Sequence, residues 1–136
     1  MRVFGLIGNP LTHSFSKKYF EEKFARESIS DCAYELYPLN SIAEFLQLVK
    51  STAGLNGLNV TIPYKESVMD YLDEVDAEAL KIDAVNCIKI RNGKTKGYNT
   101  DAFGFENSLR DFLRNNGGRL SGLTGFVLGT GGAAKA

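Results

Sequence analysis

VFGLIGNPLTHSFSKKYFEEKFAR, residues 3–26, predicts a short strand, a polar turn and a helix in that order. Apolar Val3–Gly8 ends at a Gly-Asn-Pro turn, which is typical of a buried strand. In Ser16–Arg26, Phe20 and Phe24 lie four residues apart with charged residues between them, which is the pattern of an amphipathic helix. A strand followed at once by a helix favours an α/β fold.

The same alternation continues along the chain. Ser41–Glu44 matches a capping box that opens a second helix. Asn92-Gly93 is a hairpin turn signal, so the strands on either side of it should pair antiparallel. Strands are expected at 33–37, 58–62, 85–90, 94–98 and 125–128, and further helices at 67–72 and 77–82. Thr100 is expected to cap a last helix that runs to about Asn115. The pattern predicts three layers, α/β/α, around a mixed and mostly parallel sheet.

Composition excludes several classes of protein. The chain has 136 residues, of which 43% are hydrophobic, and it carries 16 basic and 16 acidic residues. A nucleic-acid-binding domain usually has a basic excess, and no apolar run approaches the roughly 20 residues that span a bilayer. The amino terminus lacks a secretory leader pattern. Cys32 and Cys87 are far apart in strand-like runs, so we expect two reduced thiols in a cytoplasmic protein, and no metal site.

The last segment, GFVLGTGGAAKA (Gly125–Ala136), predicts a strand followed by a glycine-rich turn and the start of a helix. This is the opening of a dinucleotide-binding βαβ unit, which needs roughly 30 residues in all. We therefore expect the chain to be the front part of a two-domain enzyme. A phosphate-binding NTPase loop is disfavoured because Lys135 is followed by Ala136 and not by Ser or Thr.

Polar residues gather at the ends of the predicted strands, where open α/β sheets bind ligands. Ser14 and Ser16 precede the first helix, where free N–H groups favour an anion such as a carboxylate; either serine could instead be only a helix cap. His13, the only histidine, has no evident catalytic partner, and we expect a structural role for it.

Three further strand ends carry polar side chains. Asn59 and Thr61 share one face of a strand, and Pro63 directs Lys65 out of the loop that follows. Such a lysine suits acid–base chemistry, although solvated surface lysines are the more common case. Asn86 interrupts an apolar strand, and Asp101 starts a helix. The alternatives are a hydrogen-bonded buried amide and a simple helix-start aspartate.

Taken together, these segments resemble the shikimate dehydrogenase family. The resemblance covers nearly the whole chain, and its motifs occur in the family's order: Gly8–Ser16, Asn59–Lys65 (NVTIPYK), Ala84–Cys87 (AVNC), Gly97–Gly104 (GYNTDAFG) and Gly129–Ala133 (GTGGA). There are also departures. Lys17 stands where the family usually has Pro, Tyr19 and Phe20 stand near a usual His-Asn pair, and Cys87 replaces Thr.

The resemblance implies a role for each matched residue. Ser14 and Ser16 would hold the carboxylate of shikimate or 3-dehydroshikimate, and Lys65 and Asp101 would form the catalytic pair. The substrate hydroxyls would be bound by Asn59, Thr61, Asn86 and Asp101, with Lys65 beside the reacting oxygen. The reaction would be the reversible NADPH-dependent reduction of 3-dehydroshikimate to shikimate in aromatic amino acid (chorismate) biosynthesis.

The resemblance also implies a division of the chain. Residues 1–100 would form the shikimate-binding catalytic domain, 101–122 a connecting helix and linker, and 123–136 the start of an NADP-binding Rossmann domain. Cofactor contacts would come from the glycine loop: Gly129, Thr130, Gly131, Gly132 and Ala133. We expect this piece to be inactive alone.

Some alternatives remain open. A quinate-using or NAD-using relative, a module that only binds a hydroxy acid, and a homodimer each fit the pattern.

Overall fold

The computed structural model describes residues 1–136, which form an α/β domain followed by a long helix and an extended tail. The strands are β1 (Arg2–Gly8), β2 (Cys32–Pro38), β3 (Leu55–Val60), β4 (Glu74–Val75), β5 (Cys87–Arg91) and β6 (Lys94–Tyr98). The helices are α1 (Ser16–Arg26), α2 (Glu44–Ser51), α3 (Ala77–Ile82), α4 (Asp101–Asn115) and α5 (Gly132–Lys135), with a 3₁₀ helix at Ser67–Tyr71.

The six strands form one sheet in the order β2-β1-β3-β5-β6-β4. β1 pairs parallel with both β2 and β3, and β4 pairs parallel with β6. β5 alone runs against the others, because it pairs antiparallel with β3 and with β6 across the Asn92-Gly93 turn. The predicted mixed, mostly parallel sheet is confirmed. The carboxyl ends of β1 and β3 therefore lie at the same edge.

Helices cover both faces of the sheet, which confirms the three-layer prediction. Phe45 of α2, Val68 of the 3₁₀ helix and Ala79 of α3 pack with Ile7 and Ile88 on one face. On the other face, Phe20 and Phe24 of α1 pack against a smaller cluster that contains Leu6, Leu11 and Tyr34. Since Leu6 and Ile7 are consecutive in β1, the alternation of a strand supplies both cores.

Local signals placed most element ends correctly and missed a few. The 3₁₀ helix and α3 follow the two short helices predicted there. β3 begins at Leu55, three residues earlier than predicted, and β4 has only two residues, too few to leave a periodic pattern. α2 begins at Glu44 after Ala43, so Ser41 does not form the predicted capping box.

The strand predicted at Gly125–Leu128 does not form. A parallel strand needs a neighbouring strand for its hydrogen bonds, and none of the six strands of the sheet lies beside this segment. Phe126 and Leu128 are instead 91% and 96% exposed. The first strand of a Rossmann domain is thus not formed within these residues, although the glycine turn does lead into a short helix, α5.

No helix of this protein combines the length and the apolar character that a membrane crossing requires.

Candidate functional site

Lys65 and Asp101 form an ion pair between two elements that are far apart in sequence. The Lys65 Nζ lies 2.6 Å from Asp101 Oδ2. Lys65 follows β3 in the loop that Pro63 opens, and Asp101 is the first residue of α4. The side chains are 17% and 33% exposed, so the pair is shielded from solvent but remains reachable. The fold thus brings together the two residues that the sequence analysis assigned to one pair.

Asn86 holds the other oxygen of the same carboxylate. Its Nδ2 donates to Asp101 Oδ1 at 2.7 Å and to Thr100 Oγ1 at 2.9 Å. Its Oδ1 accepts the backbone N–H of Thr100 at 2.9 Å. Asn86 lies between α3 and β5, and its backbone bonds to Val60 and Tyr98 tie it to the adjacent strands. The amide that interrupts an apolar run therefore orients Asp101.

The start of α4 is fixed by Asn99 and not by Thr100. Asn99 Oδ1 accepts the backbone N–H groups of Asp101 at 2.9 Å and Ala102 at 3.4 Å, which satisfies two of the free donors of the first turn. Asn99 Nδ2 donates to the Ala84 carbonyl at 3.0 Å. Thr100 bonds to Asn86 and makes no side-chain cap. The helix that carries Asp101 is thus attached to the sheet through one asparagine.

Ser14, Ser16 and Thr61 line one cleft of about 400 Å³ beside the carboxyl ends of β1 and β3. Ser14 Oγ accepts the backbone N–H of Ser16 at 3.3 Å, and α1 begins at Ser16 without a side-chain cap. Gly8 at the end of β1 has no room for a side chain, because a Cβ there would meet the Thr61 methyl group. This close approach brings Thr61 to the serine loop.

Asn59 is held by a residue that the sequence did not indicate. The hydroxyl of Tyr34 donates to Asn59 Oδ1 at 2.8 Å, across β1 from β2 to β3. The Tyr34 ring stacks on Phe20 with ring centroids 4.4 Å apart. Burial raises the pKa of Tyr34 to about 12.

The glycine loop lies against the Lys65 loop. A cleft of about 550 Å³ is lined on one side by Thr61 and Lys65 and on the other by the glycine loop, at Gly129, Gly131, Gly132, Ala133 and Ala134. Gly132 has no room for a side chain, because a Cβ would lie 2.8 Å from the Lys65 Cβ. Thr130 is in the same turn but does not line this cleft.

Lys135 fastens the glycine loop to the body of the site. Its Nζ lies 2.7 Å from Glu66 Oε2 and 2.7 Å from Asp83 Oδ2. These two acids raise the pKa of Lys135. Glu66 follows Lys65 directly, and Asp83 precedes Ala84 and Val85 in the segment that leads to Asn86. One lysine therefore connects the loop to the segment that carries Lys65 and to the segment that leads to Asn86.

The predicted site residues fall into three neighbouring groups: the cluster around Asp101, the cleft lined by Ser14, Ser16 and Thr61, and Asn59 with its partner Tyr34. Lys65, Asn86 and Asp101 form one hydrogen-bonded cluster, and Thr61 lines both the serine cleft and the cleft beside Lys65. Asn59 is bound by the Tyr34 hydroxyl. His13 lines the serine cleft but forms no ion pair or side-chain hydrogen bond. Cys32 and Cys87 are free thiols, and burial raises the pKa of Cys87.

This arrangement offers a defined chemistry. Serine and threonine hydroxyls can donate to a carboxylate and to ligand hydroxyls. The lysine ammonium can deliver a proton to an oxygen, and its carboxylate partner can orient it. A cation held beside a developing alkoxide also stabilises that charge.

Comparisons with known proteins show what this chain is similar to. The family model described as the shikimate dehydrogenase substrate binding domain matches residues 6–88. The shikimate dehydrogenase (NADP(+)) of Clostridium perfringens is 44% identical over 140 residues, which cover 99% of this chain and 48% of the relative. The chain thus spans about half the length of the curated relatives it matches.

Solved structures show the same fold. The crystal structure of shikimate dehydrogenase 1 from Peptoclostridium difficile superposes with a TM-score of 0.88 and 38% identity. The match covers 99% of this chain and 48% of the chain in that crystal structure. The enzyme from Thermus thermophilus in complex with shikimate superposes with a TM-score of 0.83 and 32% identity. The match covers 99% of this chain and 50% of the Thermus thermophilus chain.

Proposed function

The chain belongs to the shikimate dehydrogenase family, and from that premise we propose that it forms the shikimate-binding half of an NADP-dependent shikimate dehydrogenase. The observation that carries the proposal is the Lys65–Asp101 pair, 2.6 Å apart at the edge of a cleft that Thr61 also lines. The Thermus thermophilus relative, which shares the fold of this chain, was crystallised with shikimate.

Ser14 and Ser16 bind the substrate carboxylate in this proposal. Both hydroxyls line the cleft at the start of α1, where the positive end of the helix dipole favours an anion. Thr61 and Asn59 bind ring hydroxyls from the neighbouring end of β3. Asn86 acts chiefly through Asp101, since both polar atoms of its amide already contact Thr100 or Asp101.

Lys65 and Asp101 move the proton. When 3-dehydroshikimate is reduced, the carbonyl carbon gains a hydride and the carbonyl oxygen gains a proton from Lys65 Nζ, which gives the alcohol. In the reverse direction the Lys65 amine takes the hydroxyl proton. Asp101 keeps Nζ in place through its 2.6 Å contact, and Asn86 keeps Asp101 in place. Such acid–base assistance contributes about 10²–10⁴-fold in rate.

NADPH, when bound, supplies the hydride. The residues of Gly129–Ala133 fit a dinucleotide phosphate group, because Gly129 (φ +114°) and Gly131 have open space where a side chain would stand. The cleft between this loop and Lys65 supports this part of the proposal, in which the cofactor lies next to the substrate. The Rossmann domain that this loop would open is part of the proposal.

The wider setting is also proposed. The whole protein would act in aromatic amino acid (chorismate) biosynthesis in the cytoplasm, where a reducing environment suits the free thiols of Cys32 and Cys87.

The test is kinetic and needs a protein that carries these residues within a chain of the relatives' length. Lys65→Met should lower kcat by about 10²–10⁴-fold and change KM little. Lys81→Met is the matched control, because Lys81 forms an ion pair of the same 2.6 Å length with Glu78 on the exposed surface. A rise in KM with an unchanged kcat would show that Lys65 binds the substrate and takes no part in the chemistry.

A further inference from the structure

Tyr34 is a buried tyrosine whose hydroxyl reaches Asn59 near the carboxyl end of β3. The residue is 2% exposed and stacks on Phe20, with ring planes 13° from parallel. Its hydroxyl donates to Asn59 Oδ1 at 2.8 Å. Packing against Phe20 holds the ring, and the ring in turn holds the hydroxyl at a fixed place beside Asn59.

The Tyr34 hydroxyl remains a donor over the working range of the protein. Burial raises the pKa of Tyr34 to about 12, so the phenol stays protonated at neutral pH. A neutral phenol has a single O–H to donate. That donor is directed to the amide oxygen of Asn59, and this contact fixes the orientation of the amide group.

The amide nitrogen of Asn59 is left free by this contact. Its Oδ1 is occupied by Tyr34, whereas its Nδ2 makes no hydrogen bond within the protein. No buried side-chain nitrogen or oxygen in this protein lacks a partner, so Nδ2 is open to solvent or to a ligand. The side chain therefore offers a ligand two N–H donors.

We infer that Tyr34 is a positioning residue, which makes Asn59 a hydrogen-bond donor toward the ligand and so selects a ligand oxygen that can accept at that position. This inference rests on the proposed function in one respect, since the ligand oxygen is taken to be a hydroxyl of shikimate. The orientation of Asn59 does not depend on that identity.

The binding test is a double-mutant cycle on this chain, titrated with shikimate by calorimetry. Tyr34→Phe removes one oxygen atom and should weaken binding by about three- to tenfold, the range for one hydrogen bond. In an Asn59→Ala background the same change should weaken binding by less than about twofold. An equal loss in both backgrounds would overturn the inference, because Tyr34 would then act independently of Asn59.

Tyr37→Phe is the matched control. Tyr37 lies three residues away in β2, packs on the opposite face of the sheet and makes no side-chain hydrogen bond. This variant should bind shikimate as the parent chain does. A loss equal to that of Tyr34→Phe would show that any missing hydroxyl in β2 disturbs the site, which contradicts a specific role for Tyr34.

A second measurement needs no ligand. Nuclear magnetic resonance relaxation of the Asn59 side-chain amide should report a rigid group in the parent chain and in Tyr37→Phe, and a mobile group in Tyr34→Phe. If shikimate fails to bind the parent chain, the proposed function fails while this measurement still decides the role of Tyr34. Equal rigidity of Asn59 with and without the hydroxyl would overturn the inference.

Discussion

Residues 1–98 and residues 101–136 are held in place by different forces. All 21 buried residues of the protein lie at or before Gly97, and none lies in α4 or beyond it. The first region is fixed by apolar packing on both faces of a sheet. The second region is attached to it by polar contacts of Asp101 and Lys135, and by Asn99, which lies between the two regions.

The proposed catalytic pair joins these two regions. Lys65 belongs to the packed region, whereas Asp101 starts the helix that has no buried residue. The position of Asp101 therefore depends on a few hydrogen bonds from Asn86 and Asn99. A site divided in this way can keep its substrate contacts fixed while the segment that carries Asp101 and the glycine loop is held less firmly.

The largest loss of stability is expected from a substitution in the apolar core of residues 1–98. Phe45 is fully buried at the centre of the main cluster, so Phe45→Ala should lower the free energy of unfolding by about 3–5 kcal/mol. Phe112→Ala in α4 removes the side chain of a residue that is 63% exposed, so it should change the free energy of unfolding by less than about 0.5 kcal/mol. Urea denaturation checks both. Equal losses would mean that α4 is packed as tightly as the sheet.

A smaller effect is expected where the two regions meet. Asn99→Ala removes the side-chain acceptor of the first turn of α4 and the bond to the Ala84 carbonyl. The loss of a helix cap costs about 1 kcal/mol. Amide hydrogen exchange should accelerate in the first turn of α4 and stay unchanged in β1. Acceleration in both elements would contradict the view that the two regions are stabilised separately.

The packed region also contains a polar contact that makes its stability depend on pH. Asp73 Oδ2 accepts the backbone N–H of Thr95 at 2.7 Å and its hydroxyl at 2.8 Å, and these bonds lower the pKa of Asp73. The pKa of Asp73 is thus lower in the folded state than in the unfolded state. Its contribution to stability is therefore fully present above the unfolded value of about 3.9. It is lost as the pH falls through the pKa of the folded state.

The measurement for this contact is an acid titration of stability. Asp73→Asn should remove part of the loss of stability that the parent chain shows below about pH 4. Asp70→Asn, three residues earlier, is the control and should leave the acid profile of the parent chain in place. Identical profiles for the parent chain and for Asp73→Asn would contradict the assignment.

The smallest effect is expected at the glycine loop. Lys135→Met removes the contacts to Glu66 and Asp83, which are partly exposed and weakened by salt. Global unfolding should be unchanged within error, while amide exchange in Gly131–Ala134 should become faster. Raising the ionic strength should produce the same change in the parent chain. A loop that responds to neither change would show that Gly132 packing on Lys65 holds it without the ion pairs.

Periodicity and turn chemistry were sufficient to predict most of the sheet and the helices around it. α1, α3 and β6 have the bounds that the sequence predicted, because each has a regular apolar pattern between clear turn or cap residues. The strand at Gly125–Leu128 was predicted from the same apolar pattern and is absent, because strand formation depends on a neighbour that a local pattern does not specify.

The sequence also predicted that Lys65 and Asp101 belong to one site, because both follow strand ends in motifs of the family. It did not reveal Tyr34 or Asn99. Tyr34 lies in an ordinary half-apolar strand, and only the stagger of β2 against β3 places its hydroxyl beside Asn59. Asn99 sits next to Thr100, which is an equally good cap by residue type, and the choice between them depends on the contact to Asn86.

The central claim is that the residues from Ser14 to Asp101 form a shikimate site within this chain. Calorimetric titration of the 136-residue protein with shikimate tests it most directly. We predict saturable binding at one site, weakened by Ser14→Ala and by Ser16→Ala and unchanged by Phe112→Ala. The absence of binding to the folded chain, or binding that all three substitutions leave unchanged, would contradict the claim.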